Sequence, residues 1–206
     1  MSEGEYPIPA ATEPFEEVIS NSRFLTLLAH SPDAEAAHRF IREVRAAHAD
    51  ATHHCWAYVA GPPGDTRDIG MSDDGEPHGT AGRPMLNALL HSGVGEVVAV
   101  CVRWYGGTKL GTGGLSRAYA GGVKQALQAL PLAQRVPRTT IEVRVGYPHV
   151  DALHRLLVEF DAVIVDERYA AEAQCTVQIA VRVMPEFQRR LADASAGSAQ
   201  VRRTSE

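Results

Sequence analysis

Hydrophobic and polar positions change their period several times along the chain, and each change marks an element. Phe24, Leu25, Leu27 and Leu28 form a short apolar run that predicts a strand. Ser31, Pro32 and Asp33 then read as a helix start. Ser can cap, Pro is tolerated in the first turn, and an acid suits the positive helix end. Ala37, Phe40, Ile41 and Val44 follow on one helical face. Residues 53–60 predict a second strand, closed by Gly61, Pro62, Pro63 and Gly64 as a turn. Met85, Leu86, Leu89 and Leu90 predict a helix over 80–91. The run 97–102 is wholly apolar and predicts a buried strand that extends to Tyr105. The clearest periodicity is Leu115, Ala118, Tyr119, Gly122, Val123, Ala126, Leu127 and Leu130, a long helix ended by Pro131. Its small residues Ala118 and Gly122 predict a close approach to a sheet.

Residues 134–138 read as a linker, and the pattern beyond them is new. Ile141, Val143 and Val145 alternate as a strand, and Val150, Leu153, Leu156, Leu157 and Phe160 form a helix face. Residues 162–165 are strand-like, and Cys175, Val177, Ile179, Val181 and Val183 alternate again. Residues 185–194 offer a helix through Phe187 and Leu191, and 199–202 a last strand. This order, βαββαβ, is the ferredoxin-like split motif. The expected division is a flexible stretch over 1–16, where Pro7 and Pro9 discourage regular structure, a first domain over 17–133 and a small second domain over 138–206. The fold class is α+β.

Composition narrows the functional classes. A chain of 206 residues with 45% hydrophobic and 22% charged residues has an ordinary globular balance, so disordered and fibrous classes are excluded. Net charge is −5, whereas a nucleic-acid binder usually carries a basic domain. Any RNA contact must therefore use a local basic surface. Cys55, Cys101 and Cys175 are far apart and lie in apolar strand-like runs, which reads as reduced thiols. No CxxC pair is present, and no metal site or cofactor is expected. The acidic start lacks an apolar signal segment, and the longest apolar run is too short to cross a bilayer, so a cytoplasmic location with no membrane partner is expected.

Three stretches could carry chemistry. The first, from Ser72 through Asp73, Asp74, Gly75, Glu76, Pro77, His78, Gly79 and Thr80 to Arg83 and Pro84, places three carboxylates just before a helix. It reads either as a ligand loop or as an acidic surface turn that caps the helix. The second runs from Arg103, Trp104 and Tyr105 through Gly106, Gly107, Lys109, Gly111, Gly113 and Gly114 to Arg117. A strand, a glycine-rich loop and a helix start is a common way to cradle phosphate, although the spacing is neither that of a Walker A loop nor of a dinucleotide fingerprint. The alternative is that these glycines only let the backbone turn tightly. Between residues 79 and 125 the cations Arg83, Arg103, Lys109, Arg117 and Lys124 face Glu96 alone. Trp104 and Tyr105 could stack on a base or belong to the core. The third stretch holds His53, His54, Cys55 and Trp56. Strand alternation puts His53 and Cys55 on one face and His54 and Trp56 on the other. His54 is a candidate acid–base group beside Asp73, Asp74 or Glu76, or a satisfied core histidine.

These motifs resemble the YigZ/IMPACT family. Ser22-Arg23-Phe24, the Asp50–Tyr58 run with His53, His54 and Trp56, the turn Ser72-Asp73-Asp74-Gly75-Glu76-Pro77, Gly79-Thr80-Ala81-Gly82, and the long run from Arg103 to Tyr119 all match in order. The match is strong over 17–130 and departs from the common pattern at His78 and at Trp104-Tyr105. The resemblance implies a first domain like domain IV of elongation factor G, of the left-handed βαβ type. It implies a second like that factor's ferredoxin-like domain V. It also implies a link to regulation of translation, which eukaryotic members exert together with an RWD domain not expected in this chain.

Three functions are therefore expected as alternatives. The leading one binds RNA or a ribosome-associated partner without catalysis. Its surface would comprise Gly79, Thr80, Arg83, Arg103, Gly106, Gly107, Lys109, Gly111, Gly113, Gly114 and Arg117. The second is an enzyme acting on a phosphate-bearing small molecule through His54, Asp73, Asp74 and Glu76. The third is a partner-binding scaffold.

Overall fold

The structure is a computed structural model and describes residues 4–204. The chain forms two compact units. One spans Tyr6–Arg135, and the other holds Gly4, Glu5 and the chain from Val136 onward.

In the first unit the elements are β1 (Tyr6–Pro9), β2 (Pro14–Ile19), β3 (Ser22–His30), α1 (Ala34–Ala47), β4 (His53–Val59), β5 (Ile69–Ser72), α2 (Gly82–Leu90), β6 (Val97–Trp104), α3 (Gly111–Ala129) and β7 (Leu132–Arg135). An antiparallel sheet of order β2-β3-β6-β4-β5 forms its centre. The apolar run of β6 is buried on both faces, as its lack of alternation requires. On one face α1 covers Leu25, Ala29, Tyr58, Val98, Val100 and Val102. On the other α2 and α3 cover Phe24, Leu28, Cys55, Ala57, Val97 and Cys101. Tyr119 of α3 meets Phe24 edge-on at 5.5 Å, an aromatic geometry that adds about 0.5–1.5 kcal/mol beyond area burial. The close approach expected at Gly122 is present, since a Cβ there would lie 2.6 Å from Thr26 Oγ1.

The second unit contains β8 (Arg138–Val145), α4 (Val150–Glu159), β9 (Val163–Tyr169), β10 (Ala173–Ala180), α5 (Met184–Ala194) and β11 (Gln200–Arg203). Its sheet has the order β11-β8-β10-β9, all antiparallel, with α4 and α5 packed against Ile141, Val143, Val145, Cys175 and Val177. This is the ferredoxin-like βαββαβ arrangement read from the sequence.

Three expectations are corrected. Within the stretch 1–16 expected to be flexible, residues 6–9 form β1 and residues 14–16 begin β2, while residues 1–3 and 205–206 lie outside the described residues. Residues 134 and 135, read as the start of the linker 134–138, belong to β7, which pairs with β1 from Tyr6↔Arg135 to Pro9↔Leu132. Helix α1 is capped by Asp33, not Ser31. Asp33 adopts extended backbone and its Oδ1 accepts the Ala36 amide at 2.7 Å, while Ser31 Oγ donates to the Asp33 carbonyl.

Candidate functional site

The acidic turn and the glycine-rich loop meet in the first unit. A cleft of about 450 Å³ lies between them. Glu76 and Pro77 of the turn, Thr52 and His53 of the β4 edge, Arg103 and Tyr105 at the end of β6, and residues 109–112 of the loop line it.

A buried polar network forms its floor. Residues Arg103 and His53 are opposite each other in the β4–β6 register, so both leave the sheet toward α2 and α3. The Arg103 guanidinium donates from Nη1 to Glu76 Oε1 at 2.6 Å and from Nη2 to Ser22 Oγ at 3.2 Å. The hydroxyl of Tyr119 donates to the same Glu76 oxygen at 2.7 Å. The Arg103 and Glu76 side chains are 5% and 3% exposed, so this ion pair is held away from solvent. Phe24 and Tyr105 lie 5.2 and 5.5 Å from the guanidinium carbon. Burial, reinforced by the neighbouring thiols Cys55 and Cys101, pushes the Tyr119 phenol far above its ordinary value, which keeps it a donor. Glu76 therefore orients Arg103 and Tyr119. An oxygen already accepting two donors is poorly placed to take a proton from a substrate.

The other candidate acids hold the turn itself. Asp73 accepts the amides of Gly79, Ala81 and Gly82 at 2.8, 3.0 and 2.9 Å. Burial works to raise its carboxyl, but these amides outweigh it and hold it below the ordinary carboxylate range. The start of α2 is thus satisfied by the chain's own carboxylate, which closes it as an anion cradle. Thr80 donates to the Pro77 carbonyl at 2.6 Å. Asp74 stands at φ +41°, accepts the His54 amide at 2.7 Å and pairs with Arg45 at 2.7 Å. Arg83 lines a separate groove with Met71, Ser72, Asp73, His78 and Gly79.

The histidine of the cleft is His53, and the candidate His54 is corrected. His54 is buried toward α1, where Nε2 donates to the His48 carbonyl at 3.0 Å. Strand alternation separated the two residues correctly, but only the position of the 72–82 turn decides which face carries the cleft. His53 Nδ1 donates to the Asp74 carbonyl at 2.8 Å, which leaves the acceptor lone pair of the neutral ring on Nε2. Tyr105, 45% exposed, is the aromatic at the cleft. Trp104 is clamped on the other face, with Nε1 donating to Asp50 at 2.8 Å and the Arg23 guanidinium 4.2 Å over its ring.

The glycines divide by role. Gly106 is steric: a Cβ there would lie 1.9 Å from the Asn21 carbonyl oxygen, and its amide donates to Ser22 Oγ. Gly107 and Gly111 have φ of +86° and +72°, a region that L side chains rarely adopt. Gly114 packs on Leu110, its would-be Cβ 3.0 Å from Leu110 Cβ. Gly113, inside α3, has neither demand: the nearest atom to its would-be Cβ is Arg117 Nη1 at 3.8 Å. No side chain caps α3 at Leu110, in contrast to α2. Lys109 and Leu110 form a ridge, since they also line a second groove of about 490 Å³ with Glu17, Ser20, Gly114 and Arg117. The expected surface is therefore split. Arg103, Lys109 and Gly111 meet at the cleft, Gly114 and Arg117 lie across the ridge, and Gly79 and Arg83 lie elsewhere.

Among the described residues no helix is long and apolar enough to cross a membrane. Residues 20–127 match the Impact N-terminal domain, and 143–198 match a domain of unknown function, DUF1949. The chain is similar to the IMPACT family member YigZ of Escherichia coli (strain K12), with 48% identity over 94% of this chain and 95% of that protein. It is 33% identical to the IMPACT family member YvyE of Bacillus subtilis (strain 168), over 77% of this chain and 72% of that one. A crystal structure of a hypothetical protein superposes with a TM-score of 0.75 at 46% identity, covering 98% of both chains. Both domains and nearly the full length are thus accounted for, and the chain belongs to the IMPACT family.

Proposed function

We propose that this protein is a translation-associated regulator whose first domain binds single-stranded RNA at the ridge around Lys109. The IMPACT family is one of translation-associated regulators in general. The observation that carries the finer reading is the grouping at the cleft: an exposed aromatic, Tyr105, a cation, Lys109, and the uncapped first turn of α3. A base can stack on a tyrosine face, and backbone amides at a helix start favour a phosphate. Gly113 supports it further. Glycine is a poorer helix former than alanine, and neither packing nor backbone angle requires one at this position in the first turn. A bare surface over which a ligand backbone passes accounts for it. Because net charge is −5, binding rests on this local patch and not on a general positive field. The catalytic alternative loses ground, because Asp73, Asp74 and Glu76 are each engaged in holding structure and His54 faces away.

The test is fluorescence anisotropy with short single-stranded RNA at several salt concentrations. Lys109→Ala and Arg117→Ala should each weaken binding and lower the magnitude of the salt slope by about one unit. Tyr105→Ala should lose about 1–3 kcal/mol for one stacked base. Absence of salt-dependent binding in the unaltered protein refutes the reading. Co-sedimentation with ribosomes in that case would favour a protein partner.

A further inference from the structure

The second domain holds a group of side chains that the cleft does not involve. Cys175 of β10 stands opposite Glu167 of β9, so both leave the sheet on its helix-covered face. That face is otherwise apolar, built from Val143, Val145, Val177 and Leu153. Helix α4 lays His154 over the pair. One carboxylate oxygen, Glu167 Oε1, lies 2.7 Å from His154 Nε2 and 3.3 Å from Cys175 Sγ. The three donor atoms all fall within 4.8 Å of one another. The His154 and Glu167 side chains are 40% and 24% exposed, whereas Cys175 is fully buried beneath them. An entering ion would meet imidazole and carboxylate first and sulfur last.

We propose that His154, Glu167 and Cys175 form a binding site for a zinc-type divalent cation. One nitrogen, one oxygen and one sulfur donor suit a borderline-soft ion, whereas magnesium and calcium require oxygen alone. Bonds of about 2.0–2.3 Å in tetrahedral geometry set donor atoms roughly 3.3–3.7 Å apart. The pairs at 2.7 and 3.3 Å reach that spacing by side-chain movements of under about 1 Å. On binding, the thiol proton passes to solvent and a sulfur lone pair goes to the metal. His154, whose Nε2–H donates to Glu167 in the metal-free state, gives that proton to solvent and carries its ring proton on Nδ1, so that the Nε2 lone pair faces the metal and the two hydrogen bonds to Glu167 give way to three metal bonds. Tyr169 leaves β9 two residues beyond Glu167, on the same face, and its ring stacks on Tyr147 at 6.4 Å. Three protein ligands leave a fourth position for water or an external ligand, the open type of zinc site.

The probe is Co²⁺, titrated into the full-length, reduced and chelator-stripped protein, with Zn²⁺ as competitor. One equivalent should produce a sulfur-to-cobalt charge-transfer band and the strong visible bands of a tetrahedral site, and zinc should abolish them. Cys175→Ser should lose the charge-transfer band. His154→Ala and Glu167→Gln lie nearer the surface, and each should weaken cobalt binding about tenfold or more while leaving the far-ultraviolet circular dichroism unchanged. A charge-transfer band that survives in Cys175→Ser would assign the ion to Cys55 or Cys101 and overturn the site. Its absence from the unaltered protein would overturn it as well.

Discussion

Replacing Glu76 by Gln removes one charge and almost no volume, and it isolates the ion pair under the cleft. The amide oxygen of Gln can still accept from Tyr119 and Arg103, so the hydrogen-bond geometry survives. What is lost is the countercharge to a guanidinium that is 5% exposed. Breaking a buried pair from one side costs about 3–5 kcal/mol, because the remaining charge stays buried without compensation. Glu76→Gln belongs near the lower end, about 3 kcal/mol, and Glu76→Leu near the upper, since it also strips the acceptor from Tyr119. The double variant Glu76→Gln with Arg103→Met removes the stranded charge and should recover much of the loss, giving a coupling of about 2 kcal/mol. The assay is urea unfolding followed by tryptophan fluorescence. Both tryptophans, Trp56 and Trp104, lie in the first unit, so the signal reports that unit alone. With a slope of about 1–3 kcal/mol per molar urea, a loss of 3 kcal/mol moves the midpoint by roughly 1–3 M. A Glu76→Gln midpoint matching the unaltered protein, or additive losses in the double variant, would refute this account of Arg103.

Two further outcomes follow from other contacts. Gly106→Ala places a methyl 1.9 Å from the Asn21 carbonyl oxygen, where backbone must move, so it should destabilise the first unit by about 3 kcal/mol, read by the same urea midpoint. A midpoint unchanged by that methyl would show the β3–β6 corner to be looser than described. The first unit should also lose stability in acid through Asp73 and Glu96. For Glu96, burial works to raise the carboxyl, but donors from His30, Tyr6 and Arg135 outweigh it and hold it low. A carboxyl lowered in the folded state contributes fully above the unfolded value, about 4 for Asp and Glu, and loses that contribution as pH falls through its folded value. Urea midpoints between pH 7 and pH 3 should therefore fall less steeply in Asp73→Asn and Glu96→Gln than in the unaltered protein, and equal slopes would refute the assignment.

The sequence made the long elements legible because their signals are local. The α3 face from Leu115 to Leu130 and the buried run of β6 needed only periodicity and apolar length. The 1–16 stretch was misread because β1 is four residues long, holds two prolines, and is a strand only by virtue of a partner about 130 residues away. At the cleft, the residue types of Glu76, Arg103 and Lys109 were visible, but their roles were not. Asp73 and Glu76 stand three apart in one turn, yet the first caps a helix and the second neutralises an arginine. His53 and His54 are neighbours, yet only one faces the cleft. The cluster of His154, Glu167 and Cys175 shows no motif, because strand register brings Glu167 beside Cys175 and only the packing of α4 brings His154 to them.

The pairing of β1 with β7 has a mechanical consequence. Tyr6 and Arg135 are the points where the chain enters and leaves the first unit, and they face each other at the open end of this two-stranded ribbon. Tension applied at those two points would peel the ribbon from Pro9–Leu132 last, one rung at a time, instead of shearing all rungs together. Only alternate rungs of this short ribbon carry hydrogen bonds: the Ala10 amide donates to the Pro131 carbonyl just beyond it, while the Pro7 carbonyl turns away from β7 and accepts from the Gly95 amide. Under a pull such as an unfolding motor exerts, the clasp should yield at low force, before the five-stranded sheet behind it is loaded.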